Sequence, residues 1–188
     1  SADTMAEILS DIRSENVRAT QIVDRHRTML RGRPIDKKPI DIHAVVSESV
    51  ALVAHDMGTR QVQVDCRVPP ERCAMVGDQV LLTQVFVNLM LNAMDAMGNT
   101  PRDRRRITVL STVTEASVTV AVRDSGTGLP AGVDGQLFEP FFTTKAHGIG
   151  IGLTIAQTIV VAHGGRLEAC NNPDAGATFT MTLPRGRA

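Results

Sequence analysis

The spacing of apolar residues divides the chain into helical and extended stretches. Over residues 3–30, Met5, Ile8, Leu9, Ile12, Ala19, Ile22, Val23, Met29 and Leu30 fall mostly three and four apart, with charged residues between them. This predicts one amphipathic helix with Asp3 at its N-cap. Such a helix must bury its stripe, either on its own domain or against a second helix in a dimerisation hairpin. One glycine, two prolines and four basic residues from Arg31 to Pro39 (RGRPIDKKP) end the pattern and mark a connector over 32–39. Helical spacing returns from Ile42 to His55, with Asp41 as a cap, and from Asp78 to Met97, where Val80, Leu81, Val85, Leu89 and Ala93 fill one side. It returns again from Gly152 to His163, stopped by Gly164 and Gly165.

Alternation marks the strands. Val62 to Val68 alternates weakly, and Ala74 to Val76 is a short candidate. Ile107 to Val113 and Val118 to Asp124 read as a hairpin around Thr114–Ser117, and Arg166 to Cys170 and Thr178 to Leu183 as another around Asn171–Gly176. The basic run Pro101 to Arg106 (PRDRRR) between helix and strand reads as a surface loop. Three helices with hairpin-linked strands predict an α/β two-layer sandwich over 40–188, its sheet mixed or largely antiparallel. That differs from a doubly wound nucleotide fold, in which parallel strands alternate with helices.

Composition narrows the function. Lys plus Arg equals Asp plus Glu at 20 each, so no net charge draws the chain to nucleic acid. Trp and Tyr are absent, which removes the usual base-stacking platforms. Cys66, Cys73 and Cys170 form no CxxC pair and are odd in number, as expected of reduced thiols in a cytoplasmic protein. No apolar run approaches the roughly 20 residues that span a bilayer.

Candidate chemistry concentrates in residues 124–153, DSGTGLPAGVDGQLFEPFFTTKAHGIGIGL. Asp124 ends an apolar strand and is followed at once by Gly126 and Gly128. Such a carboxylate can accept from an exocyclic amine, or the run is a plain Asp-Ser-Gly turn. Phe138, Phe141 and Phe142 form an aromatic knot, followed by Lys145, whose charge suits a terminal phosphate. Gly148, Gly150 and Gly152 lead into a helix whose N-terminal N–H groups favour phosphate. Glycine-rich elements at both ends of one segment read as a lid over a phosphate-bearing ligand. The spacing is neither G-x-x-x-x-G-K-[ST] nor G-x-G-x-x-G. Upstream, Gln84, Asn88, Asn92 and Asp95 line one face of the helix 78–97. They are either an exposed stripe or oxygen ligands for Mg²⁺.

In this order the elements resemble the catalytic and ATP-binding domain of sensor histidine kinases, within the group that includes gyrase, Hsp90 and MutL. The N box is similar to Asn88–Ala93 and the first glycine box to Asp124–Gly128. The F box is similar to Phe138–Phe142 and the second glycine box to Gly148–Leu153. The closing GGRLEACNNPDAGATFTMTLP is similar to the end of oxygen- and dicarboxylate-sensing kinases. The resemblance covers residues 40 to 184 and implies a Bergerat-type fold with ATP and Mg²⁺ as cofactors. It implies that Asn92 holds Mg²⁺ with Asn88 assisting, and that Asp124 takes the adenine amine beside Gly126 and Gly128. Gly148, Gly150, Gly152 and Leu153 would then lie near the phosphates, with Phe141 and Phe142 anchoring the lid. Asp95, Lys145 and Thr178 are further candidates for the nucleotide site. Asn88 stands where ATP-hydrolysing relatives carry a catalytic glutamate, which favours transfer over hydrolysis.

None of the five histidines (His26, His43, His55, His147, His163) sits in a phosphoacceptor pattern. The resemblance therefore implies that residues 1–31 are the second helix of a dimerisation hairpin. The acceptor histidine would lie on a helix preceding Ser1, in a homodimer that passes phosphate to a response regulator. The fragment alone would bind nucleotide without phosphorylating itself. The alternatives are a non-catalytic ATP-gated interaction module and an anti-sigma-type serine kinase.

Overall fold

The structure, a computed structural model, describes residues 35–69, 71–133, 136–145 and 148–185. The predicted helix over 3–30, residues 32–34 of the connector, His26 and His147 lie outside the described residues. The described chain runs β1 (Lys38–Asp41), α1 (Ile42–Leu52), α2 (Ala54–Thr59), β2 (Gln63–Arg67), β3 (Ala74–Gly77), α3 (Gln79–Ala96), β4 (Arg106–Val113), β5 (Ser117–Asp124), α4 (Gly152–Ala162), β6 (Arg166–Asn171) and β7 (Ala177–Pro184).

Five strands form one mixed sheet in the order β2-β4-β5-β7-β6. β2 runs parallel to β4, and every other neighbour is antiparallel. The two hairpins predicted from alternation are β4–β5 and β6–β7. Their alternate residues are buried: Ile107 and Val109, then Val118, Val120 and Val122, then Phe179, Met181 and Leu183. α3 packs over β4 and β5, α4 packs on β6, and α1 and α4 both pack against α3. The result is the expected two-layer sandwich. The other face of the sheet keeps polar residues, and Thr119 and Thr182 share a hydrogen bond across it at 3.3 Å.

Capping explains where the helices begin. Asp41 Oδ1 accepts from the N–H of His43 and of Cys73, each at 3.1 Å, so one carboxylate starts α1 and ties it to the chain before β3. Asp78 Oδ1 accepts from the N–H of Leu81 at 3.2 Å and starts α3. Two boundaries differ from expectation. The stretch from Ile42 to His55 is two helices, because the backbone leaves helical geometry at Val53 and so turns both Val53 and Met57 into the core. β1 includes Lys38 and Pro39, which read as connector by composition. Among the described residues it pairs only with β3, and proline is tolerated on such an edge. Among the described residues no helix is long and apolar enough to cross a membrane.

Candidate functional site

The strand β5 decides where its carboxylate goes. Val118, Val120, Val122 and Asp124 share one phase of the alternation, so the pleat that buries the valines also buries Asp124, which is 3% exposed. A carboxylate in that position needs donors. Asp124 Oδ1 accepts from the N–H of Gly126 at 2.8 Å and of Ala177 at 3.2 Å. Among the described residues no donor reaches Oδ2. Burial pushes the Asp124 carboxyl above the ordinary range, and the two N–H groups offset only part of that push. The site therefore presents one acceptor oxygen to a ligand and keeps the other for the protein.

The glycines around Asp124 serve the protein's own packing. A Cβ on Gly126 would lie 2.7 Å from the carbonyl of Ala96, so this residue is glycine because it presses on the last turn of α3. The N–H of Thr127 donates to the same carbonyl at 3.2 Å. Thr178 lies one strand over. Its hydroxyl donates to Asn172 Oδ1 at 2.6 Å, and Asn172 Nδ2 donates to the Asp124 carbonyl at 2.8 Å.

The polar row on α3 forms the second half of the site. Asn88 is buried, and a Cβ on Gly152 would lie 2.6 Å from its Oδ1, so its carboxamide lies against the start of α4. One turn on, Asn92 Oδ1 accepts from Lys145 Nζ at 3.0 Å. The same ammonium donates to Asp95 Oδ2 at 2.8 Å, while Arg60 donates to Asp95 Oδ1 at 2.6 Å. Partial burial alone would raise the Asp95 carboxyl. The hydrogen bonds and charges of Arg60 and Lys145 outweigh it and hold that carboxyl below the ordinary range. The last turn of α3 joins the two halves, since Asp95 holds the lid lysine and its neighbour Ala96 supports Gly126. Asn88, Asn92, Asp95, Lys145 and Gly152 are thus brought together on one side of that turn, and Asp124, Gly126 and Thr178 on the other.

Between them the lid folds back on itself. The N–H of Phe141 donates to the Gly150 carbonyl at 3.0 Å, and a Cβ on Gly150 would strike the Phe141 carbonyl carbon. Both residues are left-handed, with φ of 72° at Gly150 and 68° at Phe141. This corrects one expectation. Phe138 and Phe142 pack on the core, joined by Leu137, but Phe141 is 73% exposed and does not anchor the lid. Its left-handed backbone, needed for the pairing with Gly150, turns the ring to solvent. Gly148 lies against Thr143 and Lys145, and the N–H of Lys145 donates to Thr143 Oγ1 at 3.1 Å. α4 starts at Gly152 beside Leu153, and its N-cap residue, Ile151, supplies no side-chain cap.

Two features escaped the sequence reading. Asn171, read as part of a turn, binds the backbone of Leu129 with both ends of its carboxamide, at 2.6 and 3.0 Å. Arg105, read as a loop residue, donates to the carbonyls of Arg60, Gly98 and Thr100 at 2.8 to 3.0 Å and knits three segments beside Asp95.

Known proteins share this arrangement. The sensor protein FixL of Bradyrhizobium diazoefficiens is 36% identical over 169 residues, which are 89% of this chain and 33% of that protein. The catalytic domain of histidine kinase ThkA superposes with a TM-score of 0.71 at 25% identity, over 80% of this chain and 98% of that one. A structure of ThkA in complex with the response regulator protein TrrA gives a TM-score of 0.78 at 23% identity, over 99% of this chain and 53% of that one, a likeness of fold. The chain spans 33 to 38% of the length of the first curated relatives that it matches. Residues 77–187 match the family described as histidine kinase-, DNA gyrase B- and HSP90-like ATPase, so this chain belongs to that family.

Proposed function

We propose that residues 40–188 bind ATP with Mg²⁺ and transfer the γ-phosphate to a histidine on a separate helix, for relay to a response regulator. The observation that carries this reading is Asp124, a buried carboxylate with one oxygen held by N–H groups and the other open to a ligand. In this reading Oδ2 accepts from the adenine amine. Guanine presents a carbonyl oxygen at the matching position, which a carboxylate repels.

The phosphates lie towards α4. Its first N–H groups, at Gly152 and Leu153, follow an N-cap, Ile151, that offers no side-chain acceptor, and they carry the positive end of the helix dipole. Gly148 and Gly150 let the lid pass close to them. Lys145 moves its charge from Asn92 and Asp95 to the terminal phosphate. The residues fit a hard cation, because Asn92 and Asp95 already turn oxygen atoms towards one, the Lys145 ammonium. Asn92, with Asn88, would hold Mg²⁺, which when bound neutralises charge on the phosphate oxygens.

Asn88 is a neutral carboxamide and abstracts no proton from water. None is needed for transfer to a neutral imidazole, whose ring nitrogen is already a nucleophile. That nitrogen forms a bond to the γ-phosphorus, the bond to the bridging oxygen breaks, and ADP leaves. The acceptor helix, the homodimer that would carry it, and the response regulator are parts of the same proposal, supported by the resemblance to the kinases above.

Calorimetric titration of ADP and Mg²⁺ into the wild type and Asp124→Asn tests it. The wild type binds, and the variant binds tenfold to a hundredfold more weakly, since the new Nδ2 sets a donor against a donor and about 1.5–3 kcal/mol is lost. Equal binding by the two proteins contradicts the adenine assignment. Absence of binding in both contradicts the function.

A further inference from the structure

The segment from Gly126 to Leu137 links the carboxylate to the lid and contains no helix or strand among its described residues. Two adjacent asparagines where β6 meets its turn to β7 hold the first part of it and Asp124, which precedes it. Asn172 Nδ2 donates to the Asp124 carbonyl at 2.8 Å and to the Ala175 carbonyl at 2.9 Å. Asn171 accepts from the N–H of Leu129 on Oδ1 at 2.6 Å, and its Nδ2 donates to the Leu129 carbonyl at 3.0 Å. This is the double bond pattern of a strand pair, made by a side chain. Among the described residues no other side chain bonds the backbone from Thr127 to Leu137.

Gly128 lies between the two held residues and belongs to the same device. Its φ is +76°, and a Cβ there would lie 2.6 Å from Asn171 Oδ1. The space left by the missing side chain is filled by the asparagine. Asn171 also ends β6, where it is paired in register with Ala177, whose N–H holds the Asp124 carboxylate. One short turn therefore fixes the carboxylate, the carbonyl behind it, and Leu129, five residues on, in the segment that leads to the lid.

We propose that Asn171 is a positioning residue for the nucleotide, which sets the backbone of Gly128 and Leu129 against the purine and fixes the hinge of the lid. The inference rests on the nucleotide reading of Asp124. Asn171 bonds protein and not ligand, and it is exposed, so its loss leaves the core intact. What it changes is the shape of the base pocket. Asn171→Asp keeps the acceptor for the Leu129 N–H but loses the donor to the Leu129 carbonyl, so it falls between wild type and Asn171→Ala.

The test is titration of ADP and of GDP, both with Mg²⁺, into wild type, Asn171→Ala, Asn171→Asp and Asp124→Asn, with thermal melting of each. Asn171→Ala is expected to weaken ADP about tenfold, the loss of a pair of ordinary hydrogen bonds. It should also narrow the preference for ADP over GDP, with the melting temperature within about 3 °C of wild type. Asn171→Asp is expected to give an intermediate loss. ADP affinity unchanged in Asn171→Ala overturns the inference. So does a loss equal for ADP and GDP that accompanies a large fall in melting temperature, which marks the asparagine as a fold residue only. Wild type that binds no ADP, or Asp124→Asn that binds as wild type does, overturns the nucleotide reading itself. Wild-type binding with a defective Asp124→Asn and an unaffected Asn171→Ala overturns this inference alone.

Discussion

Lys145 donates its ammonium to Asp95 Oδ2 at 2.8 Å, across 50 residues of sequence, and so ties the lid to the last turn of α3. Arg60 holds the other oxygen of the same carboxylate. Against the upward push of partial burial, the two cations hold the Asp95 carboxyl below the ordinary carboxylate range, and this fixes the sign of its pH dependence. A depressed acid contributes stability that is full above the unfolded value and is lost as pH falls through the folded one. Thermal melts of wild type and Asp95→Asn should therefore differ most above about pH 4 and converge below it. Tryptic cleavage after Lys145 should be faster in Asp95→Asn at neutral pH, because the lid has lost its tie. A melting difference that is flat from pH 2 to 7 contradicts this account.

Asp124 carries the opposite sign. Burial raises its carboxyl, so the charged form is disfavoured in the fold. Its contribution is full below the unfolded value, about pH 3.9, and is lost as pH rises through the raised folded one. Asp124→Asn keeps an oxygen for the N–H groups of Gly126 and Ala177 and removes the charge. Its melting temperature at pH 7 should equal or exceed that of wild type, even as nucleotide binding fails. Melts at pH 4 and pH 7 check this, and a variant markedly less stable than wild type at pH 7 contradicts it. Asp124→Ala is the poorer probe, because it strands two buried N–H groups.

The strand-end carboxylate and the polar row on α3 were legible because each follows a local period. Alternation in β5 buries Val118, Val120 and Val122, and Asp124 keeps their phase. The spacing of Asn88, Asn92 and Asp95 puts them on one helical face whatever lies opposite. Both hairpins were legible for the same reason. What lies opposite was not legible. Lys145, Arg60 and Arg105 meet α3 or its flanking segments only after the chain has folded. Asn171 looked like turn chemistry, and only the close approach of Gly128 gives it a partner. Phe141 misled because aromatic residues are read as buried, while its exposure follows from a left-handed backbone set by Gly150. β1 was missed since four residues with a proline carry no period.

His163 closes a second long-range contact, within the core. Its Nδ1 lies 2.7 Å from the Ile159 carbonyl, which requires a proton there, and its Nε2 then accepts from the N–H of Asp78 at 2.9 Å. The neutral imidazole thus joins the end of α4 to the N-cap of α3. His163→Ala leaves a buried donor without a partner and opens a cavity. The expected loss is about 2–3 kcal/mol, measured by urea unfolding. A loss under about 0.5 kcal/mol contradicts the assignment, since that is the range of ordinary surface changes.

Gly152 and Asn88 make the last prediction, which separates the site from the helix it sits on. Gly152 opens α4 without a positive φ, so nothing in its backbone demands glycine. Alanine is the better helix former by roughly 1 kcal/mol in a helix interior. Its Cβ, however, would lie 2.6 Å from Asn88 Oδ1 and 3.2 Å from Asn88 Cγ and Nδ2, and the buried carboxamide must move. Gly152→Ala should therefore keep its helical circular dichroism and lose ADP affinity about tenfold or more in the presence of Mg²⁺. The reason can be isolated by a double-mutant cycle with Asn88→Ala, which empties the contested space. If the clash acts through Asn88, adding Gly152→Ala to Asn88→Ala costs little further affinity, and the coupling is of order 1 kcal/mol. Strict additivity of the two losses means that glycine is needed there for the ligand itself, and Asn88 is then not the residue through which it acts.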